Sequence, residues 1–282
     1  MTDKIQVYKI DRSDIEQLEF DLPDFDSITT ALPVGLYTTF RTYAGRSKVV
    51  GLRAHLERLY LPAKLQGISL VLRGQEDLRE TLAELLRRVD TNEARVRLIA
   101  DMTQEPGTMY VLLQAMNPLP PEIYEDGVSV EISKSSRDKP SLKQTAFISE
   151  SVFDRQRVGE GVFEILLTNK GRILEGITSN FFYVLNGALC TAGRGVLIGV
   201  TRQTVLALAK QKKIEICYKA LPLNDLPLVA EAFITSSSRG VVPVVRIDGQ
   251  QIEDGTVGEV TRRLMKLYEE SVLLLAEEII SA

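Results

Sequence analysis

Apolar and polar positions alternate along the chain in two rhythms, and each rhythm predicts its own element. GLYTTFRTY (35–43), rich in aromatic and β-branched residues, predicts a strand. RAHLERLYL (53–61) predicts a helix that Pro62 should end or kink, because proline has no N–H to donate and its ring crowds the preceding turn. QEDLRETLAELLRRV (75–89) sets Leu78, Leu82, Leu85 and Leu86 at the spacing of one buried helix face. RVRLIADM and TMYVLLQAM read as strands joined by the turn-forming TQEPG. MNPLPPEIYEDG (116–127) holds three prolines and no periodicity. It predicts an interdomain linker over 118–127, between a small N-terminal α/β domain of residues 1–117 and a larger C-terminal domain of residues 128–282.

The second half opens with the strand-like VSVEIS and the polar SKSSRDKPSLKQ. EILLTNKGRILEG and NFFYVLNGALCTA predict hairpins turning at Asn169-Lys170-Gly171 and Asn186-Gly187, residues that accept the positive φ of tight turns. TRQTVLALAKQ predicts a helix from about Thr201, with Val205, Leu206 and Ala209 on one side. EAFITSSSRGVVPVVRI is a strand entering a small-residue turn, and a last helix is expected from about Val257 through EESVLLLAEEII. The fold class implied is α/β, or α+β, in two lobes, without internal repeats.

Composition narrows the chemistry. The 282 residues are 44% hydrophobic and 26% charged, as in ordinary globular proteins, with a net charge of −4 and no basic cluster. Nucleic-acid and anionic-membrane partners are therefore not expected. The opening MTDKIQVYKIDRSD has charges where a secretory signal would be apolar, and no apolar run nears the ~18 residues of a membrane span. A cytoplasmic protein is expected. Cys190 and Cys217 form no CxxC, so neither a disulfide framework nor a zinc site is expected. His55 is the single histidine, and no G-x-S-x-G elbow accompanies it, which argues against a Ser-His-Asp hydrolase and a multi-histidine metal site. GRGVLIGVTR lacks the glycine spacing of a dinucleotide fold and the G-K-[ST] of a P-loop.

What remains are parts of one kind of site. Gly199-Val200-Thr201 stands where a helix begins, so backbone N–H groups, a hydroxyl and the positive dipole end can converge on a phosphate. Lys143, flanked by apolar residues in PSLKQTAF, is a candidate amine nucleophile. Arg58 follows His55 by one helical turn, and Ser236-Ser237-Ser238 offers backbone N–H groups that a ligand can approach. Glu175 interrupts the strand-like GRILEGITSNFF: it is either the exposed tip of a hairpin or an anion kept for a purpose. A lysine for an imine, a carboxylate beside a ring nitrogen, and a phosphate cradle are what pyridoxal 5′-phosphate requires.

The order of these parts resembles the fold type IV pyridoxal-phosphate enzymes, the class IV aminotransferases with a D-amino acid aminotransferase-like fold. That group includes branched-chain amino acid aminotransferases, D-amino acid aminotransferases and aminodeoxychorismate lyases. The resemblance spans nearly the whole chain, through HLERL with Arg58, PSLK with Lys143, LEGITSNFF with Glu175, LIGVTR with Val200 and Thr201, and FITSSSRGVVPV with Ser237 and Ser238. It implies that Lys143 forms the Schiff base and shuttles the proton at the substrate Cα, and that Glu175 pairs with the pyridine nitrogen. Arg58, Val200, Thr201 and Ser237 then bind the phosphate. Tyr37 lines the substrate pocket, and the Ser238 amide faces the substrate carboxylate. Arg97 is the nearest basic candidate for that carboxylate, since ADMTQEPGTM lacks the arginine of D-amino acid enzymes. A homodimer is implied as well.

The expected reaction moves an amino group from an aliphatic L-amino acid to a 2-oxo acid such as 2-oxoglutarate. An apolar wall of Leu36, Tyr37 and Phe40 favours aliphatic side chains. The alternative is a 4-amino-4-deoxychorismate lyase releasing pyruvate, suggested by Thr38 where many aminotransferases carry glutamate. Ile148 occupies the position at which branched-chain enzymes carry a tyrosine.

Overall fold

The computed structural model describes residues 4–72, 74–137, 142–159 and 161–280, so Pro140 and Ser141 of the PSLK motif lie outside the described residues. One compact unit comprises Met1–Asn117, Leu142–Glu150 and Val272–Ala282, and the other comprises Pro118–Ser141 and Ser151–Ser271. Residues 142–150 and 272–282, expected with the C-terminal domain, thus pack with the first unit. Distant contacts draw the chain back, which a domain reading along the sequence does not register. The expected linker 118–127 belongs to the second unit, where its short helix Glu122–Glu125 lays Ile123 and Tyr124 against the core.

The first unit is built from β1 (Gln6–Ile10), β2 (Ile15–Leu18), α1 (Phe25–Ala31), β3 (Gly35–Arg41), β4 (Lys48–Val50), α2 (Leu52–Leu65), α3 (Gln75–Arg87), β5 (Ala94–Asp101) and β6 (Met109–Ala115). Five of its strands form an antiparallel sheet in the order β2-β1-β6-β5-β3. One face packs Leu36, Phe40, Val96 and Leu98 against α2 and α3, whose Leu56, Leu59, Leu78 and Leu82 are fully buried. The other face packs Tyr37, Ile99 and Leu112 against Phe25 and Ile28 of α1 and against Ile148. Both faces of this sheet are therefore covered. Pro62 does not end α2, which continues to Leu65. The proline lies in the last turns, where few intrahelical bonds are lost, and Leu59 and Ala63 anchor the helix on either side of it. The final helix also departs from expectation: it covers Glu259–Leu275, and Ala276–Glu278 is a strand paired with β4. Pairing with a distant edge outweighs local helical preference there.

The second unit contains β7 (Val128–Ser133), β8 (Glu164–Asn169), β9 (Arg172–Gly176), β10 (Asn180–Leu185), β11 (Ala188–Thr191), β12 (Ile216–Cys217), β13 (Leu221–Pro222), β14 (Glu231–Ser236), β15 (Gly240–Ile247) and β16 (Gln250–Gln251). Its strand order is β12-β11-β10-β14-β15-β7-β8-β9-β13, with β16 on β15. An extra pairing of β9 with β10, at Glu175 and Asn180, closes the strands from β10 through β9 into a ring. Both expected hairpins form, with positive φ at Lys170 (49°), Gly171 (70°), Asn186 (51°) and Gly187 (79°). Helix Val200–Gln211 starts where expected; Val205, Leu208 and Ala209 are buried, whereas Leu206 is half-buried. Among the described residues, no helix is long and apolar enough to cross a membrane.

Candidate active site

In the first unit, the segment bearing Lys143 runs beside β3 as a backbone graft. Tyr37 N donates to Lys143 O at 2.8 Å, and Thr145 N donates to Gly35 O at 2.8 Å. Gly35 N in turn donates to Thr145 Oγ1 at 2.8 Å. Gly35 is required here, because a Cβ would stand 2.0 Å from Ala100 O. The graft leaves Lys143 half-buried, with Nζ 4.9 Å from the centroid of the Tyr37 ring. Tyr37 and Lys143, distant in sequence, are thus brought together.

Arg97 meets the same ring, its Cζ lying 5.0 Å from the centroid. Its guanidinium, however, is only 4% exposed and donates from Nη1 to Phe25 O, Asp26 Oδ1 and Thr29 Oγ1 at 3.1, 2.8 and 2.8 Å, and from Nε to Thr39 Oγ1 at 3.0 Å. The geometry makes Arg97 a fastener of α1 to the sheet, with Asp26 as its ion-pair partner. The expected apolar wall divides as well. Leu36 and Phe40 point into the core beneath α2, while Tyr37 lies on the opposite face, as strand alternation demands.

Thr38 shares the face of Leu36 and Phe40. Its Oγ1 is 2.6 Å from His55 Nδ1, with both residues fully buried, and the imidazole packs 5.0 Å from the Phe40 ring. Burial first, then the charges of Arg58 and Lys143, push His55 well below the usual imidazole range. A neutral imidazole on α2 therefore stands near two cationic candidates of this unit, Arg58 and Lys143.

The second unit resolves the question of Glu175. Ile173 and Glu175 are two residues apart on β9, so a regular strand would point both to one face. The register, however, shifts: Leu167 pairs with Glu175, but Thr168 pairs with Ile173, leaving Leu174 as an extra residue. This bulge sends Ile173 into the core and turns Glu175 to the other face. The carboxylate is 2% exposed and is no hairpin tip. Arg137 Nε donates to Oε1 at 3.2 Å, Leu197 N donates to Oε2 at 2.9 Å, and Asn180 Nδ2 approaches Oε2 at 3.5 Å. Arg137 also donates to Ile177 O at 3.3 Å.

Asn180 explains the Ser-Asn pair that follows Glu175. It donates to Leu197 O at 2.7 Å, folding the loop before helix Val200–Gln211 back over β9 and β10. A Cβ on Gly199 would lie 2.1 Å from Asn180 Oδ1, so any larger residue would have to displace the Asn180 side chain. Gly199 then caps the helix without a side-chain acceptor, which suits the first-turn N–H groups of the buried Val200 and Thr201 to an anion. Ser237 and Ser238 sit half-buried in the turn from β14 to β15. That turn is docked by Arg239, which donates to Ser236 Oγ and to the buried Glu164 Oε2, each at 3.0 Å, and to Thr178. Arg137, Asn180, Glu164 and Arg239 were not assigned a role from sequence. Arg137 and Arg239 stood in a polar stretch and a turn, and Glu164 and Asn180 were polar residues opening apolar strands.

Comparison with known proteins identifies the family. Residues 35–247 match the family described as amino-transferase class IV. A Methanocaldococcus jannaschii protein with a provisional branched-chain-amino-acid aminotransferase name is 32% identical over 84% of this chain and 86% of its own. The D-alanine aminotransferase of Listeria monocytogenes is 26% identical over 88% of this chain and 90% of its own. Among solved structures, a Thermotoga maritima protein with a provisional branched-chain amino acid aminotransferase name superposes with a TM-score of 0.78 at 27% identity, covering 95% of this chain and 96% of that one. The family match spans the strand beside Lys143, the bulged strand of Glu175 and the helix of Val200 and Thr201 alike, and the chain belongs to the class IV aminotransferases.

Proposed function

We propose that this aminotransferase uses pyridoxal 5′-phosphate to move the amino group of an aliphatic L-amino acid to a 2-oxo acid such as 2-oxoglutarate. The observation that carries the reading is Glu175: a buried carboxylate aimed by a bulge, ion-paired with Arg137 and held at both oxygens. Such a group fits a ring nitrogen, and the uncapped helix behind Gly199 fits a phosphate. Bound to the chain, the cofactor supplies a ring that accepts the negative charge developing at the substrate Cα. Lys143 holds the cofactor through its amine and carries the proton to and from Cα. Glu175 keeps the proton on the ring nitrogen. The Val200 and Thr201 amides, the Thr201 hydroxyl, Ser237 and Arg58 bind phosphate, while Tyr37 and the Ser238 amide face the substrate.

Aliphatic L-amino acids are favoured because the 32% identical relative bears a branched-chain name, against 26% for the D-alanine enzyme. The homodimer implied by the family resemblance is part of the same proposal. The lyase alternative draws no support from these relatives, and Thr38, which suggested it, is buried against His55. An absorbance spectrum of the protein with added pyridoxal phosphate, titrated separately with L-leucine, L-glutamate and D-alanine, tests the reading. A visible band that L-leucine and L-glutamate convert to the amine form of the cofactor is expected. Conversion by D-alanine alone would overturn the L assignment, and the absence of any band would overturn the cofactor.

A further inference from the structure

β11 and β12 run parallel at the edge of the second unit's sheet, and their register places Cys190 directly beside Cys217. Adjacent strands lie about 4.8 Å apart, and register partners point to the same face, so the Cα separation falls within the range that a disulfide spans. Both thiols are free; Cys190 is buried and Cys217 is half-buried. Burial, reinforced by the neighbouring Cys217 side chain, pushes the Cys190 thiol up to about 11. Cys217, the more exposed sulfur, is therefore the one that meets a dissolved oxidant first.

We propose that Cys190 and Cys217 form an oxidant-responsive pair that closes to an intrachain disulfide under a two-electron oxidant such as hydrogen peroxide. The Cys217 thiolate attacks a peroxide oxygen, the O–O bond breaks, and hydroxide leaves to take up a proton, giving a sulfenic acid on Cys217 and one water. Cys190 then loses its proton and attacks the Cys217 sulfur: the S–S bond forms, the S–O bond breaks, and a second water departs. Two thiols and one peroxide yield one disulfide and two waters, the two electrons passing from sulfur to oxygen.

The position gives the bond a consequence. The strands precede and follow helix Val200–Gln211, so the closed loop contains Leu197, whose N–H donates to Glu175, and Gly199, which begins that helix. Oxidation would fasten this whole strand–helix–strand segment by restricting its unfolded state. The absence of a CxxC motif gave the cysteines no partner in sequence; parallel pairing supplies one.

The test treats the full-length protein with hydrogen peroxide, blocks remaining thiols with iodoacetamide and maps peptides without reductant by mass spectrometry. Expected are a single linked species joining the peptides of Cys190 and Cys217, reversal by dithiothreitol, and a melting temperature several degrees higher that Cys217→Ser does not reach. Full alkylation of both cysteines after peroxide, a sulfinic acid on Cys217 beside free Cys190, or links only between molecules would each overturn the pair. A linked protein with unchanged melting would overturn the fastening role. Cys217→Ser replaces the half-exposed residue, so its folding provides a control even if Cys190→Ser fails to fold.

Discussion

Lys143 and Glu175 sit in contrasting surroundings. The segment bearing Lys143 is fastened through its backbone, by Tyr37 N to Lys143 O and by the Gly35–Thr145 exchange, and its Nζ lies over the Tyr37 ring. Glu175 is fastened at the functional group itself, each carboxylate oxygen receiving a donor. The difference follows from the proposed tasks: a residue that carries a proton must move its head group, whereas one that maintains a charge must not. The two environments differ accordingly. Lys143 lies against an aromatic ring, while Glu175 lies against a guanidinium and a backbone amide.

The sharpest break in this comparison is loss of the moving group. Lys143→Ala should lower kcat by about 10³-fold or more, and Glu175→Gln, which preserves shape, by about 10²-fold. Steady-state transamination assays read both, and equal losses would mean that the two residues do not divide the labour as proposed. Next, Arg137→Met removes the ion-pair partner of a buried carboxylate and should destabilise the protein by about 3 kcal/mol in urea unfolding. Adding Glu175→Gln should recover part of that loss, giving a non-zero coupling in the double-mutant cycle. Arg97→Met should cost about 2 kcal/mol, the scale of a buried charge-assisted network, while leaving KM for the amino acid unaltered. A large rise in KM would return Arg97 to the substrate site.

An effect of similar size, but dependent on pH, concerns His55. Its folded value lies well below the ordinary imidazole range because of burial, so as pH falls the unfolded chain binds the proton first. Stability from this group is full above about pH 6.5 and declines below it, by up to about 1.4 kcal/mol per pH unit. Urea unfolding near pH 7.5 and near pH 5 should therefore differ by about 2 kcal/mol more in the native protein than in His55→Gln. An equal pH dependence in the two would show that His55 is not held neutral.

Much of the architecture was legible because its causes are local. Asn186-Gly187 accepts positive φ wherever it occurs, and the leucines of α3 fall on one face by helical geometry alone. The site was legible only as residue types: an acid inside a strand, a glycine before a helix, a lysine among apolar neighbours. Where the reading failed, a non-local partner intervened. Leu36 and Phe40 looked like a pocket wall until α2 covered them, and the contacts that α1 makes with Arg97 could not be read from sequence.

The amino-acid sequence by itself determined which chemistries were open to this protein: one histidine and no cysteine motif, but a lysine, a glutamate and a helix-opening glycine in the order of a known family. Only the tertiary structure decided where those groups point. A single extra residue at Leu174 turns Glu175 away from the core, and a hydrogen-bonded graft onto β3 places Lys143 beside Tyr37. Side-chain direction in a strand depends on register, and register is a property of the pair of strands and not of either one.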